Sequence, residues 1–185
     1  MTSAAASAAA PVPDGGVAID GAMQPFGLTL DRFLSHAAKW HQNAEVVTAG
    51  PDGAVARVSY AGLKQRAQGV SRILAGLGVA PGARVATLAW NTQAHLEAWY
   101  AIMGMGAACH TLNPRLTAEQ TGAMLRQSGA RILIVAVDLM PLAGQIAAHA
   151  PGVTLILVID GALGGGQAES GGLPVAALDP MAGDE

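Results

Sequence analysis

Charge, aromatic rings and cysteine are all scarce in this chain. Of its 185 residues, 12% are charged and 4% aromatic, against 51% hydrophobic. About a quarter charged is usual for a soluble domain. The core must therefore be built from Ala, Leu, Val and Ile. The net charge is −3 and no block of Lys or Arg occurs. That argues against a nucleic-acid partner, whose phosphates need clustered cations. A single cysteine, Cys109, rules out an internal disulfide and a Cys-based zinc cluster, and a reducing, cytoplasmic setting is expected. No basic residue precedes Arg32, so a secretory or mitochondrial leader is not expected. No apolar run reaches the roughly 20 residues of a membrane span, so no transmembrane segment is expected.

What is present is an alternation of apolar runs and helical periods. Residues 1–21 carry Ala, Ser, Pro and Gly and read as a disordered leader. Thr29 or Asp31 caps a helix with Leu30, Phe33, Leu34, Ala37 and Trp40 on one face. A hairpin follows around Gly50-Pro51-Asp52-Gly53, and the expectation is that it sits at the edge of the sheet. Ser59 opens a helix to Leu77 with the stripe Leu63, Ala67, Val70, Ile73, Leu74 and Leu77, stopped by Gly78. Strands are expected at 85–90, 107–111, 132–137 and 154–159, and helices at 92–105, 117–128 (with a Thr117–Gln120 capping box) and 138–149. The strands are apolar without alternation, as in strands covered on both faces. The fold class is α/β, a mostly parallel sheet with helices on both faces. The expected division is 1–21 leader, 22–160 α/β subdomain and 161–185 Gly-rich linker, with 162–172 unstructured.

Chemistry-bearing residues are few. Gly104-Met105-Gly106 follows a helix rather than a strand, the reverse of a dinucleotide loop, so it reads as a helix end. Asn91 and Thr92 lie between strand and helix, where ligands bind in open sheets, but Asn or Thr there is also an ordinary cap. His95 and His110 titrate near neutrality, yet no carboxylate can be placed beside either, and Glu97 shares no helix face with His95. Packing or a hydrogen bond is the better reading of both. Cys109 has no neighbour in sequence to make it a thiolate. Asn113-Pro114-Arg115 forms a stiff loop whose Arg can meet an anion or simply sit at the surface. Neither a phosphate loop, a nucleophile elbow nor a His-Glu-x-x-His motif occurs. No residue is assigned a catalytic, cofactor-binding or metal-ligating role.

Three stretches taken together resemble one family. They are Gly78-Val79-Ala80-Pro81-Gly82-Ala83-Arg84-Val85-Ala86, the run from Leu88-Ala89-Trp90-Asn91-Thr92 through Glu97-Ala98-Trp99-Tyr100, and Met103-Gly104-Met105-Gly106 through Leu112-Asn113-Pro114-Arg115-Leu116. With Val58-Ser59-Tyr60-Ala61-Gly62-Leu63 they resemble the N-terminal subdomain of AMP-forming acyl-CoA synthetases, in particular the medium- and long-chain fatty-acid branch. The likeness covers about Phe26 to Asp160. Ala83 departs from it, since the family usually has Asp there. The resemblance implies a parent enzyme that joins a carboxylate to CoA through an acyl-adenylate, using ATP, Mg²⁺ and CoA. The family's triphosphate loop, adenine pocket and catalytic Lys have no match in this chain. It is therefore expected to be an inactive scaffold piece that binds no cofactor itself. Its expected partners are the remainder of the synthetase and a second copy of the chain, with a fatty acid as the parent's substrate. Two other readings stay open, a nucleotide-binding α/β module and a non-catalytic interaction module that meets a partner through a sheet edge.

Overall fold

The computed structural model describes residues 29–50, 53–162 and 169–181. The expectations for residues 1–21, for Pro51 and Asp52, and for the glycine run at 164–166 lie outside these residues. The first helix, α1 (Leu30–Trp40), precedes a hairpin of β1 (Glu45–Ala49) and β2 (Val55–Ser59). Then come α2 (Tyr60–Gly76), β3 (Arg84–Leu88), α3 (Gln93–Gly104), β4 (Ala108–Thr111), α4 (Ala118–Ser128) and β5 (Ile132–Ala136). A 3-10 turn at Val137–Leu139 leads into α5 (Met140–His149), followed by β6 (Leu155–Ile159), β7 (Glu169–Ser170) and β8 (Leu173–Ala177).

The six-stranded sheet has the order β4-β3-β5-β6-β8-β7, parallel except for the β7–β8 pair. Helices α1, α2 and α3 pack together, and α4 packs with α5. This is the mostly parallel sheet with helices on both faces that the uninterrupted apolar runs imply. Every residue of β5 is buried, and β3 and β6 are buried over four of their five positions. Residues of that kind remove apolar area from water on both sides, worth about 25 cal/mol per Å².

Local chemistry sets the helix starts. Ser59 accepts the Gly62 N–H at 3.2 Å, and Thr117 and Gln120 form a complete capping box. Gly78 takes a left-handed φ of 82° after α2 ends, a conformation that Gly adopts without the steric cost of a Cβ. Where the family usually has Asp, the Ala83 N–H closes its turn onto the Ala80 carbonyl at 3.0 Å.

The structure differs from expectation in four places. The hairpin forms a two-stranded sheet of its own rather than an edge of the main one. The expected apolar face of α1 is mostly solvent-facing, since only Leu34 is buried while Phe33 and Trp40 are 57% and 65% exposed. Leu77, placed in the α2 stripe, is also exposed, because it lies just past the last helical turn. Finally, residues 169–177 carry two strands, and β8 adds a further parallel strand beside β6. It coincides with the weak apolar run at residues 173–178, which was expected to belong to the linker. Among the described residues, no helix is long and apolar enough to cross a membrane.

Candidate functional site

In a doubly wound sheet, ligands bind outside the carboxyl ends of the strands, where neighbouring connections leave in opposite directions. Here that point lies between β3, whose connection runs to β4 on one side, and β5, whose connection runs to β6 on the other. The chain leaves β3 through α3 to reach β4 on one side, then returns through α4 to β5 on the other. The loop after β3, Ala89–Thr92, is the centre of the arrangement.

Two residues of that loop are held by side-chain bonds. Trp90 Nε1 donates to Asp138 Oδ2 at 2.7 Å, reaching the turn after β5. Thr92 caps α3 by accepting the His95 N–H at 3.3 Å, and its hydroxyl donates to Asp160 Oδ2 at 2.6 Å, just past β6. The Gln93 N–H donates to Thr48 Oγ1 at 3.0 Å, tying α3 to the hairpin. Of the two residues weighed as a cap, Thr92 is the one that caps.

A cavity of about 660 Å³ opens beside this loop. It lies between the hairpin (Val46, Val47, Thr48), the β3 loop, the start of α3 (His95, Leu96, Trp99) and the β4 loop (Leu112, Asn113, Pro114, Arg115). Its volume falls within the range of small-molecule clefts, and it is open to solvent. Among the described residues, no Asp or Glu lines it, and Arg115 is its cation. Asn113 Oδ1 accepts the Arg115 N–H at 2.9 Å, so the loop that carries the guanidinium is braced by its own side chain. The structure thus brings Asn91, Thr92, His95, Asn113, Pro114 and Arg115 to one cavity.

His95 is fully engaged in the wall. Its Nδ1 lies 2.9 Å from the Trp90 carbonyl and its Nε2 lies 2.9 Å from Thr87 Oγ1. A carbonyl only accepts, so Nδ1 carries a proton. His110 sits elsewhere, in β4. Its Nδ1 is buried with no hydrogen-bond partner, and burial lowers its pKa. Cys109 is half-buried in the same strand. Desolvation pushes its thiol up to about 11, with a nearby Thr87 hydroxyl pulling the other way. A thiol held protonated is a poor nucleophile. Gly106 ends α3 with a φ of 77°, and its carbonyl accepts the Gly82 N–H at 2.8 Å. The Gly104–Gly106 pair therefore serves the helix end.

One polar cluster escaped sequence reasoning. Glu97 is 1% exposed, and its Oε1 accepts from Arg66 Nε at 2.6 Å and from Gln93 Nε2 at 2.7 Å. The i, i+4 spacing of Gln93 and Glu97 was a visible signal, whereas Arg66 lies 31 residues away on another helix. The cluster faces a second cleft of about 570 Å³, bounded by α2, α3 and the ends of β6 and β8.

Among the described residues, no group of three or more His, Cys, Asp or Glu is placed to hold a metal ion. A nucleoside triphosphate with Mg²⁺ needs several cations or N–H donors and a carboxylate for the metal. One guanidinium in an acid-free cavity does not fit that group.

Comparison with known proteins agrees with this architecture. The family model described as AMP-binding enzyme matches residues 33–178. The chain is 37% identical over 122 residues to a 3-methylmercaptopropionyl-CoA ligase of Ruegeria pomeroyi, covering 66% of this chain and 23% of that protein. It is 39% identical over 133 residues to a long-chain-fatty-acid–CoA ligase of Thermus thermophilus, covering 72% of this chain and 25% of that protein. Among solved structures, the anthranilate CoA ligase AuaEII in complex with anthranoyl-AMP superposes with a TM-score of 0.66 at 25% identity, over 74% of this chain and 26% of that one. The chain thus spans about a quarter of the length of the relatives it matches.

Proposed function

This chain belongs to the AMP-binding enzyme family, and from that premise we propose that it is the first α/β subdomain of a fatty acyl-CoA ligase. The parent reaction joins a carboxylic acid to CoA through an acyl-adenylate, with ATP supplying the AMP and Mg²⁺ attending its phosphates. The observation that carries the reading is the 39% identity to the Thermus thermophilus ligase, extended over 133 residues. The chain's own part is to build the sheet and hold its carboxyl-end loops in register. Arg115, at the rim of an acid-free cavity, meets an anionic group of a substrate or cofactor.

The adenylation step is not expected of the chain alone. Charge builds on the α-phosphate and on the departing pyrophosphate, and removing even one donor from such a site commonly costs about 10²–10³ in rate. Two experiments test the proposal. In the first, the chain replaces the corresponding quarter of the Thermus thermophilus ligase, and the chimera is assayed for fatty-acid-dependent release of AMP. The expected result is thioester formation. A folded chimera that binds ATP yet turns over no carboxylic acid would overturn the reading. In the second, ATP–pyrophosphate exchange is measured on the chain alone with a panel of fatty acids. Exchange above background would show that it is more than scaffold.

A further inference from the structure

We propose that Asp138 and Asp160 are positioning residues for the cavity, acting through Trp90 and Thr92, and that the Trp90 ring is a wall against which the ligand packs. The proposal rests on the reading of the cavity as a ligand site.

The two carboxylates lie outside the cavity lining, in the turns after β5 and β6. Each reaches across the sheet end to the same four-residue loop after β3. Between them they tie three adjacent carboxyl-end loops together. Trp90 is 40% exposed, a poor situation for a large ring fixed only by packing. Its indole N–H is bonded to Asp138, and it lines the cavity alongside Asn91, Thr92 and His95. A charge-assisted bond of 2.7 Å is of the strong class.

Asp160 adds a second, independent sign. It is the one non-glycine with positive φ among the described residues, at 60°. The next residue, Gly161, lies so close to Val137 that an added Cβ would come within 2.5 Å of its Cγ1. The backbone there is bent into an unfavourable region and pressed onto the β5 turn, and its carboxylate is delivered to Thr92. Glycine would suit that conformation better but has no carboxylate. Strain of this kind persists where the surroundings over-determine it, often beside a working site.

The test uses the 185-residue chain, ¹⁵N-labelled, with CoA and octanoate as separate probes. The Trp90 indole N–H is assigned by its loss in Trp90→Phe. In Asp138→Ala that N–H should exchange with solvent at least tenfold faster. The amides of residues 91–93 should shift, and the best-bound probe should lose about fivefold to tenfold in affinity, as expected for one lost charged hydrogen bond acting at a distance. Asp138→Asn keeps an acceptor and should restore exchange and affinity to within twofold of wild type. Asp160→Asn, which also tolerates that φ and keeps an acceptor for Thr92, should hold affinity within twofold, whereas Asp160→Gly should weaken the same probe, a split that a purely structural role does not produce. A probe bound equally by wild type and Asp138→Ala overturns the proposal alone. An affinity loss that Asp138→Asn fails to rescue, or that merely follows the loss of melting temperature, overturns it as well. If wild type binds none of the probes, the cavity reading fails and this proposal falls with it.

Discussion

Gly69→Ala is a substitution for which two effects of opposite sign can be weighed. Gly69 lies in the middle of α2 and is buried. In an unobstructed helix interior, Gly→Ala stabilises by roughly 1 kcal/mol. Here the added Cβ would stand 1.7 Å from the Pro180 carbonyl oxygen, 2.7 Å from its carbon and 3.1 Å from its Cα. Ordinary contact begins near 3.4 Å, so the Pro180 backbone must retreat by about 1.7 Å. A backbone carbonyl has no rotamer to offer. The segment after β8 must lift off α2 and take with it the buried Leu178, which is 6% exposed. Overpacking of this kind costs about 1–3 kcal/mol, and losing half of a leucine's burial costs roughly another 1 kcal/mol. The steric side wins, for a net destabilisation of about 1–3 kcal/mol. That corresponds to a fall in melting temperature of about 3–10 °C. Gly76 is the internal control, since it ends the same helix with no atom within 4 Å of an added Cβ. Gly76→Ala should stabilise by a few tenths of a kcal/mol up to about 1. Urea unfolding followed by far-ultraviolet circular dichroism measures both, with the midpoint reporting stability at constant slope. A Gly69→Ala variant as stable as wild type, or two variants shifted in the same direction, would refute the reasoning.

Three further outcomes are expected. Arg66→Ala strands a carboxylate that is 2% exposed at the side chain, while Arg66 itself is 33% exposed. Solvent screening therefore moderates the loss to about 2–4 kcal/mol. The double change Arg66→Met with Glu97→Leu should be less damaging than Arg66→Ala, and an additive double-mutant cycle would argue against a coupled pair. The Cys109 thiol, pushed up to about 11, should alkylate at pH 8 roughly 200-fold more slowly than a free cysteine on thiolate fraction alone. Because its folded pKa lies above its unfolded one, Cys109 contributes stability that is fully present below about 9 and is lost as pH rises toward 11. Rapid labelling of the native chain would contradict this. His110 shows the opposite sign, since burial lowers its folded pKa below 6.5. The unfolded state then binds the proton first, and stability falls as pH drops below about 6.5. His110→Leu should flatten the stability profile between pH 7 and 5, and an unchanged slope would show that His110 does not set it.

The sequence by itself determined the elements whose causes are local. β5 and β6 are unbroken apolar runs, and such runs are stable only when covered on both faces, which implies the parallel sheet and its helices. Ser59 and the Thr117–Gln120 box cap their helices through atoms three residues away, so the chain's own short-range chemistry is enough to find them. The same alternation puts Asn91 and Thr92 where ligands often bind in open sheets, but a helix cap is the preferred reading of them and the sequence assigns no site. Only the tertiary structure decided which groups meet there. Trp90 and Asp138 are 48 residues apart and Thr92 and Asp160 are 68 apart, and at the second cleft Arg66 finds Glu97 across two helices. No local pattern encodes such pairs, because each depends on how far two strands or helices slide before their side chains interlock. The same holds for α1, whose periodicity announces an apolar face but not what covers it. It also holds for β8, a weak apolar run that becomes a sheet strand because β6 lies beside it.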